Sequence, residues 1–267
     1  MNVNREKGRE NSPPDDLISV PEYLDRLEAL GSAAGFVVED FAEVSGYALP
    51  VLTRGLDAEE ILYVSSGVHG DEPAGPLAIA RALEVGGFSE DFGWVLFPVL
   101  NPTGLDRGTR ETSEGLDLNR DYKDHRTPES VAHCRRLVEG GWKFRAALGL
   151  HEDWEAQGGY LYEHNVGAHA NPCQALLGCI EQEVGLDASG EIDGWTTTSP
   201  GLIHPPSNSE MRDLWPEQIY LLKHHTPMSY TIETPSEFPL EQRVRAHFEA
   251  LRAFGNPMNW SVDRRRS

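Results

Sequence analysis

The feature that most constrains the fold is the alternation along the chain of short β-rich runs with segments of helical periodicity. Predicted strands occupy 48–53, 61–64, 94–100, 144–150, 160–162 and 228–232. Predicted helices occupy 21–34, the segment from 73 to the glycines at 86 and 87, the segment from 128 to beyond 138, the region near 171–184, and 239–254. Strands that alternate with helices form a mostly parallel or mixed sheet with both faces covered. We therefore predict a single α/β domain with a central mixed, twisted β-sheet flanked by helices on both faces.

The helix predicted after residue 127 illustrates how local signals place an element. Thr127 and Pro128 have the residue types preferred at a helix N-cap and at the first helical position. The spacing of Val131, Cys134 and Val138 predicts that these three side chains form its buried face.

The two ends of the chain differ in composition from the rest. Residues 1–16 are polar and charged and contain Pro13 and Pro14, and 263–267 are similarly polar. Such segments bury too little apolar surface to offset the entropy of ordering them, so we predict a loose leader and a frayed tail. With no internal repeat or linker-like run between them, one domain is expected over 17–262.

Charge and composition exclude several classes of function. The 267 residues include 23 Lys and Arg against 43 Asp and Glu, a net charge of −20, which would repel a phosphate backbone, so nucleic acid is not expected as a partner. No apolar run approaches the length of about 18 residues that a membrane helix needs, and the N-terminus lacks the apolar core of a signal peptide. We therefore expect a cytoplasmic protein without a membrane partner. The 3 cysteines show no Cys-x-x-Cys spacing, which favours free thiols over disulfides or a zinc-thiolate site.

Titratable side chains follow three of the predicted strands. His69 and Glu72 follow the strand at 61–64, His151 follows the strand at 144–150, and Glu233 follows the strand at 228–232. In open α/β sheets, ligands bind beyond the carboxyl ends of the strands. These four side chains are therefore expected to converge on one site.

Two imidazoles and one carboxylate are the ligand set of a catalytic zinc that keeps a fourth position for water, and a further carboxylate can serve as its general base. Each residue also has a structural explanation. His69 and Glu72 could belong to a capped loop that enters the helix at Pro73, and His151 could be a hydrogen-bonded interior histidine. Glu233 is harder to explain in this way, because a buried carboxylate is costly without a partner.

Several motifs lie between these residues. Asn101-Pro102-Thr103-Gly104 is followed by Arg107, by Gly108-Thr109-Arg110 and by Asp117-Leu118-Asn119-Arg120. With these motifs in this order from His69 to Glu233, the chain resembles the zinc carboxypeptidases of the carboxypeptidase A superfamily. That superfamily includes murein peptide amidases and the desuccinylase and aspartoacylase branch. The Gly-x-Arg most resembles the compact bacterial amidase-like members. The resemblance implies the zinc carboxypeptidase fold, a phosphorylase/hydrolase-like architecture.

The resemblance also implies the roles of the metal-site residues. His69, Glu72 and His151 would ligate one Zn²⁺ per chain, and Asp117 would orient a ligand imidazole. Glu233 would be the general base that activates the zinc-bound water.

The substrate-facing roles follow from the same resemblance. Arg110 would stabilise the oxyanion, with Arg107 as a competing candidate that is otherwise a solvated loop charge. Asn119 and Arg120 would bind the free carboxylate of the substrate. Tyr220 and Tyr230 are available for the mobile tyrosine of the digestive members, and neither is assigned that role.

Three acids follow His151 directly, namely Glu152, Asp153 and Glu155. They could form a solvated loop, or one of them could recognise an amine on the substrate.

The predicted activity is hydrolysis of an amide bond next to a free carboxylate, as a carboxypeptidase or a peptide amidase acting on a small peptide. The alternative is a deacylase of N-acyl amino acids with the same site. A protein that binds zinc or peptide without turnover is a further alternative. A serine hydrolase is disfavoured because the chain has no Gly-x-Ser-x-Gly. The oligomeric state does not follow from the sequence.

Overall fold

The computed structural model describes residues 18–167, 169–206 and 213–260. The predicted leader at 1–16 and the predicted tail at 263–267 lie outside the described residues. The helices are α1 (Val20–Ala33), α2 (Ala74–Val85), α3 (Pro102–Arg107), α4 (Pro128–Gly140), α5 (Cys173–Val184), α6 (Glu217–His224) and α7 (Leu240–Phe254). The strands are β1 (Val37–Val44), β2 (Tyr47–Arg54), β3 (Ile61–Ser66), β4 (Gly93–Phe97), β5 (Ala146–Asp153), β6 (Tyr160–Asn165), β7 (Glu191–Ile192), β8 (Trp195–Ser199), β9 (Leu202–Ile203) and β10 (Met228–Pro235).

The strands form one mixed sheet in the order β1-β2-β4-β3-β5-β10-β6-β9-β8-β7. Its centre is parallel, because β3 runs parallel to both β4 and β5, and β5 runs parallel to β10. The neighbours outside this centre, β2 and β6, run antiparallel to β4 and β10. The predicted mixed sheet in a single α/β domain is confirmed.

The strand order reverses between β3 and β5. After β3 the chain crosses to β4 on one side, and it later returns to place β5 on the other side of β3. Such a reversal of strand order is where open α/β sheets bind ligands, at the carboxyl ends of the strands.

Helices cover both faces of the sheet, as predicted. One apolar core contains side chains of α1, α2, α5 and α7 together with Leu148 and Leu150 of β5. A second core contains side chains of α4 and α6 together with Ala147 of the same strand. Because side chains alternate along a strand, β5 contributes to both cores in turn.

Prolines and glycines set the helix bounds. Pro21, Pro102 and Pro128 lie in the first turns of their helices, where the missing N–H costs nothing. The Thr127 side chain accepts a hydrogen bond from Ser130 N, as expected of an N-cap. Gly86 ends α2 with φ of 70°, a conformation that glycine adopts without a steric penalty.

The predicted buried face of α4 is wrong in part. Cys134 is buried, whereas Val131 and Val138 are 46% and 66% exposed. The helix instead buries His133 and Leu137. The spacing of apolar residues predicts the wrong buried face because a polar residue, His133, occupies a core position. His133 can do so because it has hydrogen-bond partners inside the core.

His133 lies between two buried tyrosines. The hydroxyl of Tyr63 is 3.1 Å from His133 Nε2 and that of Tyr122 is 2.9 Å from Nδ1. Burial lowers the pKa of His133 from its usual 6.5 to about 3, so the imidazole is neutral in the folded protein.

This neutral histidine predicts acid sensitivity of the fold. Between pH 6.5 and about 3 the unfolded chain binds a proton at His133 that the folded chain does not, so acid favours unfolding. Between pH 7.0 and 5.5 we expect His133 alone to lower the free energy of unfolding by about 1 kcal/mol. Urea denaturation in a metal chelator would measure this, and a His133→Gln variant should lose that part of the pH dependence. An equal pH dependence in both proteins would contradict it.

Cys134 and Cys173 are buried and Cys179 is half-buried, and none of the three forms a disulfide, as predicted. Among the helices of the described residues, none combines the length and the apolar composition needed to cross a membrane.

Candidate metal centre

The loop between β3 and α2 delivers the first two site residues. Gly67 begins it with φ of 58°, and the Gly67 carbonyl accepts hydrogen bonds from Leu100 N and Asn101 N. His69 and Glu72 follow and are 3% and 4% exposed. The loop is thus held against the segment after β4, with both side chains buried.

His151 and Glu233 lie within strands rather than just after them. The strand β5 continues to Asp153 and β10 continues to Pro235, which extends both predicted strands. In the parallel pairing of β5 with β10, Glu233 is the register partner of His151. Register partners point to the same face of a sheet, so the two side chains are neighbours.

The three predicted ligands converge. Glu72 Oε1 is 2.5 Å from His69 Nδ1, and Glu72 Oε2 is 2.9 Å from His151 Nδ1. One donor atom from each residue lies within 4.8 Å of the others. Burial alone would raise the pKa of Glu72, but the neighbouring His69 and His151 lower it below its usual range. The site therefore offers an ionised carboxylate and two imidazoles.

The contacts of His69 indicate which nitrogen faces the site. Asp117 Oδ1 is 3.2 Å from Nε2, and Arg110 Nη1 is 3.2 Å from Nδ1. Nδ1 also lies 2.5 Å from Glu72 Oε1, a hydrogen-bond distance between these two groups. With the ring proton on Nε2, where Asp117 can accept it, Nδ1 would be the nitrogen that binds a cation beside Glu72. The donor set, two N and one O, fits zinc with an open position.

Arg110 is held by Asp117 through two hydrogen bonds. Its Nε and Nη2 donate to Asp117 Oδ2 at 3.1 and 2.9 Å. Burial raises the pKa of Asp117, yet the hydrogen bond to His69 and the charges of His69 and Arg110 bring it well below its usual range. Arg107, the competing candidate, is exposed at the end of α3. The structure therefore brings Arg110, and not Arg107, to the His69 side of the site.

The Asn101-Pro102-Thr103-Gly104 turn supports this arrangement from behind. Asn101 Oδ1 accepts a hydrogen bond from Gly104 N at 2.9 Å, and its Nδ2 donates to the Arg110 carbonyl at 3.2 Å. The turn packs directly on the loop that carries His69, since a Cβ on Gly70 would lie 1.8 Å from the Gly104 carbonyl carbon. The motif is therefore a structural support for the Arg110 and His69 loops.

Asn119 and Arg120 lie on the same segment as Asp117. Asp117 Oδ1 accepts from Asn119 N at 2.9 Å, and Asn119 Oδ1 accepts from Glu217 N, at the start of α6, at 2.9 Å. Arg120 Nη1 donates to the Asn119 carbonyl at 2.9 Å, and its charge contributes to the low pKa of Asp117. Both side chains are partly exposed. They are thus on the segment next to the centre, and their role in binding the free carboxylate of the substrate stays a prediction.

Glu233 completes the group of titratable residues. Burial raises its pKa well above the usual value, the carboxylates of Glu72 and Asp153 raise it further, and the charge of His151 opposes them. Its side chain is half-buried, so it lies beside His151 without being sealed from solvent.

No protein-family model matches the sequence, and no curated protein matches it. Solved structures do match. A candidate metallopeptidase from Shewanella amazonensis SB2B is 22% identical, with 92% of this chain and 94% of that chain covered and a TM-score of 0.78. A second one, from Shewanella denitrificans OS217, is 23% identical, with 88% and 89% covered and a TM-score of 0.75.

A metallo-carboxypeptidase from Burkholderia cenocepacia is 14% identical, with 89% of this chain and 68% of that chain covered and a TM-score of 0.68. The chain has the zinc carboxypeptidase-like fold. At these identities the likeness shows the fold alone, so the roles of the site residues depend on the geometry described above.

Within the zinc carboxypeptidase-like fold, the acids after His151 have different surroundings. Glu152 is buried, pairs with Arg243 and accepts from Ala74 N at 2.8 Å. Asp153 accepts a hydrogen bond from Tyr160 OH at 2.8 Å, and Glu155 is exposed. The hypothesis of amine recognition is therefore wrong for Glu152, which has a structural partner.

The two tyrosines considered for a mobile role are both core residues. Tyr230 is fully buried, and Tyr220 is 7% exposed on α6, packed against Tyr122 and His224. Neither residue is placed at the centre. Tyr162, on β6 beside β10, is partly exposed, and its pKa is raised first by burial and then by the charge of Glu233. No motif in the sequence singled out this tyrosine.

Proposed function

We propose that the protein is a zinc-dependent metallohydrolase that cleaves an amide bond next to a free carboxylate, as a carboxypeptidase or a peptide amidase. The observation that carries the proposal is the convergence of His69 Nδ1, His151 Nδ1 and the Glu72 carboxylate, with Glu233 as the register partner of His151. These three ligands would hold one Zn²⁺ per chain. When bound, zinc supplies Lewis acidity for the scissile carbonyl and for deprotonation of water.

The other steps belong to side chains of this protein. Glu233, with its raised pKa, accepts a proton from the attacking water and delivers it to the leaving nitrogen. Arg110, fixed by its two hydrogen bonds to Asp117, donates through Nη1 to the oxyanion that develops on the carbonyl oxygen.

Substrate recognition is assigned to the neighbouring segment. Asn119 and Arg120 bind the free carboxylate of the substrate, a planar anion that a guanidinium matches in geometry. A Pseudomonas aeruginosa metallo-carboxypeptidase of this fold, 19% identical with a TM-score of 0.59, was solved with (2-guanidinoethylmercapto)succinic acid. A substituted succinic acid carries free carboxylates, which supports a substrate with such a group. The same residues would serve an N-acyl amino acid, so a deacylase is an outcome of the test.

Metal content tests the proposal first. Elemental analysis of the purified protein should find about one zinc per chain, and His69→Ala should lose it because one of three protein ligands is gone. His224→Ala, which removes an exposed histidine at the end of α6, is the matched control and should retain the metal. No zinc in the wild-type protein under chelator-free conditions would overturn the proposed centre.

Turnover measurements then identify the class of substrate. A panel of dipeptides, diaminopimelate-containing peptides and N-acyl amino acids should show activity in one class only. Zinc binding with no hydrolysis of any class would favour a non-catalytic zinc or peptide binder. The cytoplasmic location expected from the sequence stays a prediction, which cell fractionation would test.

A further inference from the structure

The back of the sheet, opposite the metal centre, carries a buried ion pair that the proposed chemistry does not use. In the pairing of β5 with β10, the register partners after His151 and Glu233 are Glu152 and Thr234. Side chains alternate along a strand, so this second pair points to the other face. That face is covered by α2, α5 and α7, whose side chains share a core with Leu148 and Leu150.

Glu152 has two partners on that face. Its Oε1 accepts a hydrogen bond from Ala74 N at 2.8 Å, and its Oε2 pairs with Arg243 of α7. The side chains of Glu152 and Arg243 are 0% and 1% exposed. Arg243 is itself held by a hydrogen bond from Nε to the Phe238 carbonyl at 2.8 Å. The carboxylate is therefore fixed in one orientation.

These contacts connect the two segments of the chain that carry the proposed ligands Glu72 and His151. Ala74 is two residues after Glu72, at the start of α2, and Glu152 is the residue after His151. A single carboxylate thus joins the β3–α2 loop to β5. We propose that Glu152 and Arg243 are positioning residues that hold Glu72 and His151 at the spacing required for zinc. The inference rests on the proposed function, because it assumes that these residues bind the metal.

The physical chemistry favours this role over simple stabilisation. Removing two charges from water costs several kcal/mol per ion, and a well-packed apolar pair is often at least as stable. Side chains that orient metal ligands commonly change metal affinity by 10–100-fold when they are replaced. The Glu152–Arg243 pair has the location that such an effect requires.

The deciding variant replaces both charges, as Glu152→Leu with Arg243→Met. The two charges of the pair are removed together, so neither is left buried without the other and the fold is expected to persist, whereas Ala74 N loses its acceptor. We expect the dissociation constant for zinc, measured on the apoprotein by competition with a chromophoric chelator, to rise at least tenfold. The milder variant Arg243→Lys keeps the charge but loses the fork geometry, and it should raise the constant by a smaller factor.

A matched control lies on the same helix. Arg245 of α7 pairs with Glu183 of α5 at 2.9 Å, and the two side chains are 42% and 22% exposed. Arg245→Met should leave the zinc dissociation constant unchanged. Unfolding of each apoprotein in chelator provides the second readout, since a purely structural role would lower stability without changing the zinc affinity of the folded fraction.

The outcomes separate the two hypotheses. If the wild-type protein binds no zinc, the proposed function fails and this inference fails with it. If the wild-type protein binds zinc and the double variant binds it equally well, only the inference is overturned. If the double variant does not fold, Arg243→Lys decides in the same way.

Discussion

Replacing Glu233 with glutamine is expected to lower kcat by about 10²–10⁴-fold, the usual contribution of a general acid–base residue, while the protein keeps one zinc per chain. Glutamine has nearly the same shape as glutamate but cannot accept the proton of the attacking water. Glu233 is not among the converging ligands, so the metal should stay. The measurement is steady-state turnover of the substrate class found in the panel, together with elemental analysis of the same preparation.

The control for Glu233→Gln is Glu28→Gln. Glu28 is exposed on α1, and the loss of its charge should change kcat by less than twofold. If the Glu233→Gln variant kept activity within tenfold of the wild type, Glu233 would not be the general base. Loss of zinc in that variant would assign Glu233 to the ligands instead.

Gly70→Ala is expected to cause the largest loss of stability of any single added methyl group near the centre. The new Cβ would lie 1.8 Å from the carbonyl carbon of Gly104 and 2.2 Å from Leu105 N. Both are backbone atoms, so neither can move aside as the end of a side chain could. We expect the free energy of unfolding to fall by about 3 kcal/mol or more, the upper range for overpacking. Urea denaturation of the apoprotein measures this.

The matched control is Gly178→Ala on α5, where nothing lies within 4 Å of the added Cβ. Alanine in a helix interior is favoured over glycine, so this variant should gain about 0.5–1 kcal/mol. If both alanine variants had wild-type stability, the close packing of the β3–α2 loop on the Asn101 turn would be contradicted.

Elements with strong local signals were predicted well. The predicted helix at 21–34 corresponds to α1, and the predicted strand at 61–64 is the larger part of β3. The sequence did not reveal α6 (Glu217–His224), which is polar at both ends and whose buried residues run from Glu217 to Leu221. It also did not reveal β1, where acidic residues interrupt the apolar ones. In both cases neighbouring elements, and not local preference, stabilise the segment.

The residues of the candidate site also fall into those that the sequence predicted and those whose placement depends on tertiary contacts. The ligand residues could be proposed because the strand that precedes each one is a local pattern, and because the motifs occur in the family's order. The family's motif order favoured Arg110 over Arg107, but the position of the Arg110 side chain could not be read from the local pattern, because both residues lie in the same polar stretch. That position depends on Asp117, which holds Arg110 by two hydrogen bonds.

The sequence by itself determined the alternation of strands and helices and the chemical types available at the strand ends, because periodicity, capping and turn preferences act within a few residues. Only the tertiary structure decided that Glu152 points away from the centre to Arg243, and that His69 presents Nδ1 to Glu72. The register of β5 with β10 and the contact of Asp117 with His69 produce these arrangements. Such contacts join residues far apart in the chain, so no local pattern of residues contains them.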